Sequence, residues 1–130
     1  MRRQWDVLAV ISAGGVLGAL GRYAVSLAVP GSPTGFPWGI FWVNVTGCAL
    51  IGVLMVLVNE VWPGHRLLRP FLGTGVLGGF TTFSTYTVDI VRLIDSGAPA
   101  VAVAYLVGTV PAALAAVYCG TVVTRWLVRR

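Results

Sequence analysis

The sequence predicts an all-α integral membrane protein with four transmembrane helices, the third of them broken in mid-membrane. Three observations predict it. Hydrophobic residues make up 57% of the 130-residue chain and charged residues only 10%, where soluble domains carry about 25% charged residues. So few charges cannot cover the apolar surface of a chain this small, and the bilayer is the natural solvent. Four apolar runs each reach the roughly 20 residues that a helix needs to cross the hydrocarbon core. The third run also carries a cluster of glycines and threonines that a continuous helix accommodates poorly.

The first helix is expected over 5–29, ending at the turn cluster Pro30-Gly31-Ser32-Pro33. Met1-Arg2-Arg3 ahead of an apolar stretch resembles a signal peptide. The stretch 7–29 is too long for one, however, and no small-residue cleavage site follows it, so a retained first span is expected. The second helix is expected over 38–61, closed by Trp62-Pro63-Gly64-His65-Arg66, and the third over 68–94, ahead of Asp95-Ser96-Gly97. The fourth is expected over 99–128, kinked at Pro111 and ending in Arg129-Arg130. Trp5, Trp38, Trp62 and Trp126 fall near segment ends, where aromatic rings favour the membrane interface. The connections are short, so neighbouring helices should pack antiparallel, and residues 1–130 should form a single membrane domain. Gly14 with Gly18, and Gly75 with Gly79, make small-xxx-small pairs that let backbones approach closely.

All nine basic residues are arginine, and they set a net charge of +5. With four spans, both termini and the middle loop share one side, which holds Arg2, Arg3, Arg66, Arg69, Arg125, Arg129 and Arg130. Only Arg92 lies within a turn of the other side. The positive-inside rule then puts both termini in the cytoplasm, and the multi-pass chain is expected in the plasma membrane. No basic face runs through a soluble element, so nucleic acid is not an expected partner. Cys48 and Cys119 sit inside apolar runs as small packing residues, with no disulfide or zinc spacing.

The most informative run is Gly73-Thr74-Gly75-Val76-Leu77-Gly78-Gly79-Phe80-Thr81-Thr82-Phe83-Ser84-Thr85-Tyr86-Thr87. A glycine pair followed by β-branched threonines predicts a helix break around 78–82. Irregular backbone at membrane depth is tolerated only where it is buried in protein or lines a cavity. Freed carbonyls there can hold a cation, and amides of the next half-helix can face an anion. The competing picture is a continuous helix whose hydroxyls bond back to carbonyls one turn earlier.

Other polar residues within the spans each admit two readings. Arg22 is the deepest basic residue of the first helix; it either serves a function or snorkels to the interface. Asn44 offers an uncharged two-proton donor, suited to a dehydrated anion that must also leave, or it is interhelical glue. Tyr105 and Thr109 share one helix face and either pack or line a pathway. Asp89 and Arg92 are three apart and placed to pair on the helix surface. No nucleophile–base pair, metal cluster or phosphate loop is present in the sequence, so no enzyme is expected.

Three motifs occur in order: Gly14-Gly15-x-x-Gly18-x-x-x-Arg22-Tyr23, then Val43-Asn44-x-x-Gly47, then Gly78-Gly79-x-Thr81-Thr82-Phe83-Ser84-Thr85. Together they make the chain resemble the CrcB/Fluc fluoride channel family over essentially its whole length, the third motif being the specific one. The resemblance implies a dimer of antiparallel subunits with two fluoride pores along the interface. It also implies a structural sodium ion at the centre, held by the backbone carbonyls of Gly78 and Thr81. The ion pathway it implies contains Asn44, Phe83, Ser84, Tyr86, Tyr105 and Thr109, with Arg22 at the vestibule end of the first helix.

The family's second pore phenylalanine is Tyr86 here, and Ala113 stands where its polar track often continues with a hydroxyl. The implied function is passive fluoride efflux. Phe83 would offer the ion the positive edge of its ring, and weak, multiple contacts would permit exit as well as entry. A homodimer needs a weak arginine bias, because one chain must then insert both ways, yet this bias is clear. Pairing with an oppositely oriented paralogue is therefore a second expectation. The main alternative, a small multidrug-resistance-like exporter, relies on a buried glutamate in its first helix, and this first helix offers Arg22 instead. A purely structural membrane subunit is the third reading.

Overall fold

The computed structural model describes residues 2–130, and the described residues are helical, with no strands. Helix α1 spans Arg2–Ala28 and α2 spans Trp38–Val56, continued by a π-helical turn at Leu57–Val61. A second π-helical stretch, Pro70–Leu77, runs into a single turn of α-helix, α3, at Gly78–Phe80. Helices α4 (Phe83–Asp95) and α5 (Pro99–Val128) complete the chain. Three helices are long and apolar enough to cross a membrane: Arg3–Ala28, Trp38–Val61 and Pro99–Val128. The remaining segment is two shorter pieces meeting at Thr81-Thr82. The bounds shift slightly from expectation: the first helix starts earlier than residue 5, and the broken segment runs from Pro70 to Asp95.

Local chemistry explains the ends. Proline at the first position of α5 costs nothing, since that amide has no helical acceptor. At the end of α4, Gly97 adopts φ +80°, a left-handed conformation that glycine enters without penalty. Its N–H bonds to the Ile94 carbonyl at 3.1 Å and the next N–H, from Ala98, to the Leu93 carbonyl at 2.9 Å, which is the paired arrangement of a Schellman stop. The wide turn after α2 closes with the Trp62 N–H on the Leu57 carbonyl, five residues back, at 2.8 Å.

Two seams hold the bundle. On one, α1 lies directly against the Pro70–Phe80 segment. A Cβ at Gly14 would stand 2.5 Å from the Phe71 carbonyl oxygen, and one at Gly75 would stand 2.9 Å from that of Ile11. Gly18 faces Val76 and Phe80 in the same way, and Gly79 faces Gly15, so the glycine pairs read from the sequence pack on each other. On the other seam α2 meets α5, with Gly52 against Val117 and Thr121 and Gly120 against Ala49. One buried cluster gathers Ile40, Tyr86, Leu93, Ala102 and Tyr105 beneath Phe36 and Phe41; another joins Leu54, Val58 and Leu77. Large apolar side chains such as Leu17, Leu20, Val107 and Leu114 point outward. In water that surface would be a liability; for a multi-pass membrane protein it is the lipid-facing skin.

Candidate functional site at the helix break

The break is confined to two residues. Gly78–Phe80 stays helical, while Thr81 (φ −76°, ψ 153°) and Thr82 (φ −148°, ψ 124°) are extended. The helical ladder holds through Thr81, whose N–H still bonds to the Leu77 carbonyl at 2.9 Å, and stops at Thr82. Asn44 on α2 reaches across and pairs with Thr82 at both backbone groups. The Thr82 N–H donates to Asn44 Oδ1 at 2.8 Å, and Asn44 Nδ2 donates to the Thr82 carbonyl at 3.0 Å. This is interhelical attachment of the tightest kind, and it leaves one Nδ2 proton uncommitted. The Thr82 hydroxyl caps α4 by accepting the Thr85 N–H at 3.1 Å; it also lies 3.1 Å from the Thr85 hydroxyl and 3.3 Å from that of Ser84.

These diversions free two carbonyls. In an unbroken helix the Gly78 carbonyl would accept from the Thr82 N–H, and the Thr81 carbonyl from the Thr85 N–H. Both donors go elsewhere. Arg22 turns toward the break rather than out to an interface: its Nη1 donates to the Thr81 carbonyl at 3.3 Å. Thr81 itself stays tied to the preceding turn, its hydroxyl donating to the Leu77 carbonyl at 2.9 Å.

Beyond the break, α4 shows two faces. Phe83 is 78% exposed, and Ser84 is exposed beside it. Tyr86 is buried, with its hydroxyl donating to the Leu106 carbonyl of α5 at 2.7 Å. Its ring stands 5.8 Å from Phe83 and 5.0 Å from Tyr105, and Tyr105 in turn lies edge-on to Phe36 at 5.3 Å. Tyr105 is fully buried; its hydroxyl makes no hydrogen bond of good geometry, but the buried Asp89 carboxylate of α4 faces it as the acceptor at hand. A buried hydroxyl left unpaired costs about 1–3 kcal/mol, and Asp89 is the neighbouring group that can accept its hydrogen bond. Thr109, one turn on, is buried and bonds back to the Tyr105 carbonyl at 2.7 Å. The structure thus brings Arg22, Asn44 and Ser84 to the break itself and Phe83, Tyr86 and Tyr105 into one aromatic row leading from it. The Thr109 hydroxyl is committed to its own helix.

A hollow that the sequence did not announce lies beside this row. It measures about 370 Å³ and opens between the end of α1, the loop before α2 and α4, lined by Ser26, Ser32, Thr85, Asp89 and Arg92 among others. Asp89 and Arg92 do pair, at 3.4 Å, but Asp89 is buried rather than on the helix surface. The buried positions Tyr86, Asp89 and Leu93 sit at helical spacing, and that periodicity was the available signal.

A multi-pass helical membrane protein with a polar, side-chain-pinned break in one segment is the class this architecture defines. The chain belongs to the CrcB family: the family model described as "CrcB-like protein, Camphor Resistance (CrcB)" matches residues 9–121. It is similar to proteins named Fluoride-specific ion channel FluC. The FluC 2 of Streptomyces avermitilis is 60% identical over 106 residues, 82% of this chain and 67% of that one. The FluC 2 of Nocardia farcinica is 60% identical over 120 residues, 92% and 86% of the two chains. The FluC 1 of Streptomyces coelicolor is 54% identical over 129 residues, 99% and 81%. Family membership removes the multidrug-exporter reading.

Proposed function

We propose that this chain is a fluoride-selective channel, not an enzyme, that lowers cytoplasmic fluoride by passive efflux. Its relatives carry that name, and the observation that carries the reading here is the break at Thr81-Thr82, pinned by Asn44 and flanked by donors. Fluoride is a small, strongly hydrated acceptor, and a pathway for it must replace water with donors too weak to trap it. The spare Nδ2 proton of Asn44 and the exposed Ser84 are donors of that kind, and the Tyr105 hydroxyl is a third where it turns from the Asp89 carboxylate toward the ion. Phe83, exposed beside them, supplies a ring edge of positive potential. Tyr86 and Thr109 shape the wall, since both hydroxyls are spent on backbone carbonyls.

The broken segment would be the fourth span, and two subunits would pair antiparallel, covering the exposed face of α4. The freed carbonyls of Gly78 and Thr81 are hard oxygen donors of the type that unwound membrane helices offer to sodium, so the residues fit a structural sodium ion between two breaks. Such an ion would tie the two subunits together. The Arg22 guanidinium donates to that same Thr81 carbonyl, and its like charge opposes a cation there, so Arg22 would have to swing aside for a sodium ion to use this oxygen.

The arginine bias supports a single orientation in the plasma membrane, with both termini cytoplasmic and an oppositely oriented paralogue as partner. Streptomyces avermitilis has two such relatives, FluC 2 and FluC 3, 60% and 45% identical to this chain. The test is passive efflux from liposomes holding the purified chain alone, loaded with fluoride or with chloride. Fast fluoride efflux with negligible chloride is expected if a homodimer suffices, and recovery only with a co-purified paralogue is expected if it does not. Fluoride retention in both preparations would overturn the reading. Protease mapping of the termini separates the two assemblies: termini on both faces mark a dual-topology homodimer.

A further inference from the structure

The two ends of the bundle differ in charge. Ion pairs gather the first turns of α1, the 62–69 loop and the end of α5 at one end: Arg66 with Asp6 at 3.7 Å, and Arg125 and Arg129 with Glu60 at 2.9 and 3.7 Å. Seven of the nine arginines belong to that end, against the carboxylates Asp6 and Glu60; the opposite end holds Arg92 against Asp89 and Asp95.

Within the basic end, one hollow is built for an anion. Arg125 and Arg129 share Glu60, and both meet it through Nε. Their Nη groups therefore remain as donors, in the forked geometry that suits a phosphate. Arg130 sits over Trp126, its Cζ 3.5 Å from the ring centroid, a cation–π contact that restrains the guanidinium. With Val122, these four side chains line an open hollow of about 470 Å³ on the flank of α5. Its floor is apolar at Val122 and Trp126, and its rim is cationic. Trp126 is exposed, near the end of a membrane-length helix, the level at which tryptophan meets lipid headgroups.

We infer that this hollow binds the phosphate headgroup of an anionic phospholipid. Charge complementarity selects the anion, because three arginines line the hollow and only two of them share a carboxylate, Glu60. The apolar floor selects a lipid over free phosphate, since it shelters the glycerol and upper acyl carbons that inorganic phosphate lacks. Basic pockets beside helices on the arginine-rich side of a membrane protein are suited to such headgroups. A lipid held there would also fasten the arginine end to the more anionic leaflet, adding to whatever orientation insertion sets.

The inference is independent of conduction, and its test reads lipid, not flux. The full chain, purified in detergent, is mixed with phosphatidylglycerol or phosphatidylcholine of identical acyl chains, and retained lipid is counted by native mass spectrometry. Retention of phosphatidylglycerol over phosphatidylcholine on the order of tenfold is expected. The Arg129→Gln/Arg130→Gln double variant, altered only at the last two residues, should lose that preference, and Arg92→Gln at the opposite end should keep it. Equal retention of the two lipids by the unaltered chain would overturn the inference, as would a preference that survives the double variant or falls equally in Arg92→Gln. Displacement of phosphatidylglycerol by millimolar inorganic phosphate would also overturn it, assigning the hollow to the free anion.

Discussion

The two halves of the broken segment are held in opposite ways. Before the break, Pro70–Phe80 lies backbone-to-backbone on α1, and the residues that matter there are glycines with nothing to offer but their lack of a side chain. After it, α4 is held by what its side chains do: Thr82 caps it, Tyr86 bonds to α5, and Tyr86 and Leu93 enter the core. The difference shows how a membrane segment lacking a hydrophobic driving force between helices can be both rigid and interrupted. Close packing of small residues fixes one half by dispersion, and hydrogen bonds fix the other. The break falls where one means of attachment gives way to the next, and Asn44 spans that point.

A methyl group placed in the glycine seam should do the most damage. A Cβ at Gly18 would run into the Val76 carbonyl and stand 2.7 Å from the Phe80 nitrogen. Backbone atoms cannot rotate away as a side chain can, so Gly18→Ala should cost about 3 kcal/mol or more and yield little monodisperse protein. Gly15, a neighbour on the same helix, has nothing within 4 Å of the place a methyl would take, and Gly15→Ala should stay within about 0.5 kcal/mol. Thermal unfolding of the purified chains in one detergent checks both, and similar losses in the two variants would show that close approach is not what holds this half.

Asn44 gives the next largest effect, and it acts on the junction itself. Asn44→Leu strips partners from the Thr82 N–H and carbonyl, each loss costing about 1–3 kcal/mol, and should abolish fluoride efflux. Asn44→Asp keeps an acceptor for the Thr82 N–H while losing the donor and adding negative charge. Because a carboxylate there is desolvated and meets the Thr82 carbonyl oxygen to oxygen, it should be no more stable than Asn44→Leu and conduct fluoride no better. A variant as stable as the parent that conducts normally would reduce Asn44 to a spectator.

Much of this could be read in advance because the underlying rules are local. The glycine pairs on α1 and at Gly75 and Gly79 announce close approach by spacing alone, and threonines after a glycine pair announce an interruption. Its exact place was less legible. Glycine has the poorer helix propensity, which put the expected break over 78–82. The structure narrows it to Thr81-Thr82, within that range, because Asn44, 38 residues earlier, captures the Thr82 N–H, a long-range bond no propensity encodes. Burial of Asp89 was half legible: its pairing with Arg92 and its shared face with Tyr86 and Leu93 follow from helical spacing, but which face of α4 meets α5 depends on packing across the bundle. Arg22 had two readings on sequence, and a 3.3 Å contact with the Thr81 carbonyl selects the inward one.

The smallest effect is expected in the side-chain half, at its most ambiguous residue. Tyr86 stands where the resembled family has phenylalanine, and its hydroxyl either serves the ion or serves the fold. The structure commits it to the Leu106 carbonyl at 2.7 Å, and that carbonyl lies inside α5, where it keeps its helical donor. Tyr86→Phe therefore removes one bond without stranding a buried group, at a cost of about 1 kcal/mol. The ring remains, with its contacts to Phe83 and Tyr105, so fluoride efflux from liposomes should be unchanged or faster. A steep loss of efflux in a variant that still unfolds near the parent temperature would mean that the hydroxyl leaves Leu106 to meet the ion. The two halves of the segment would then differ in one more respect, with only the second able to exchange a structural bond for a passing anion.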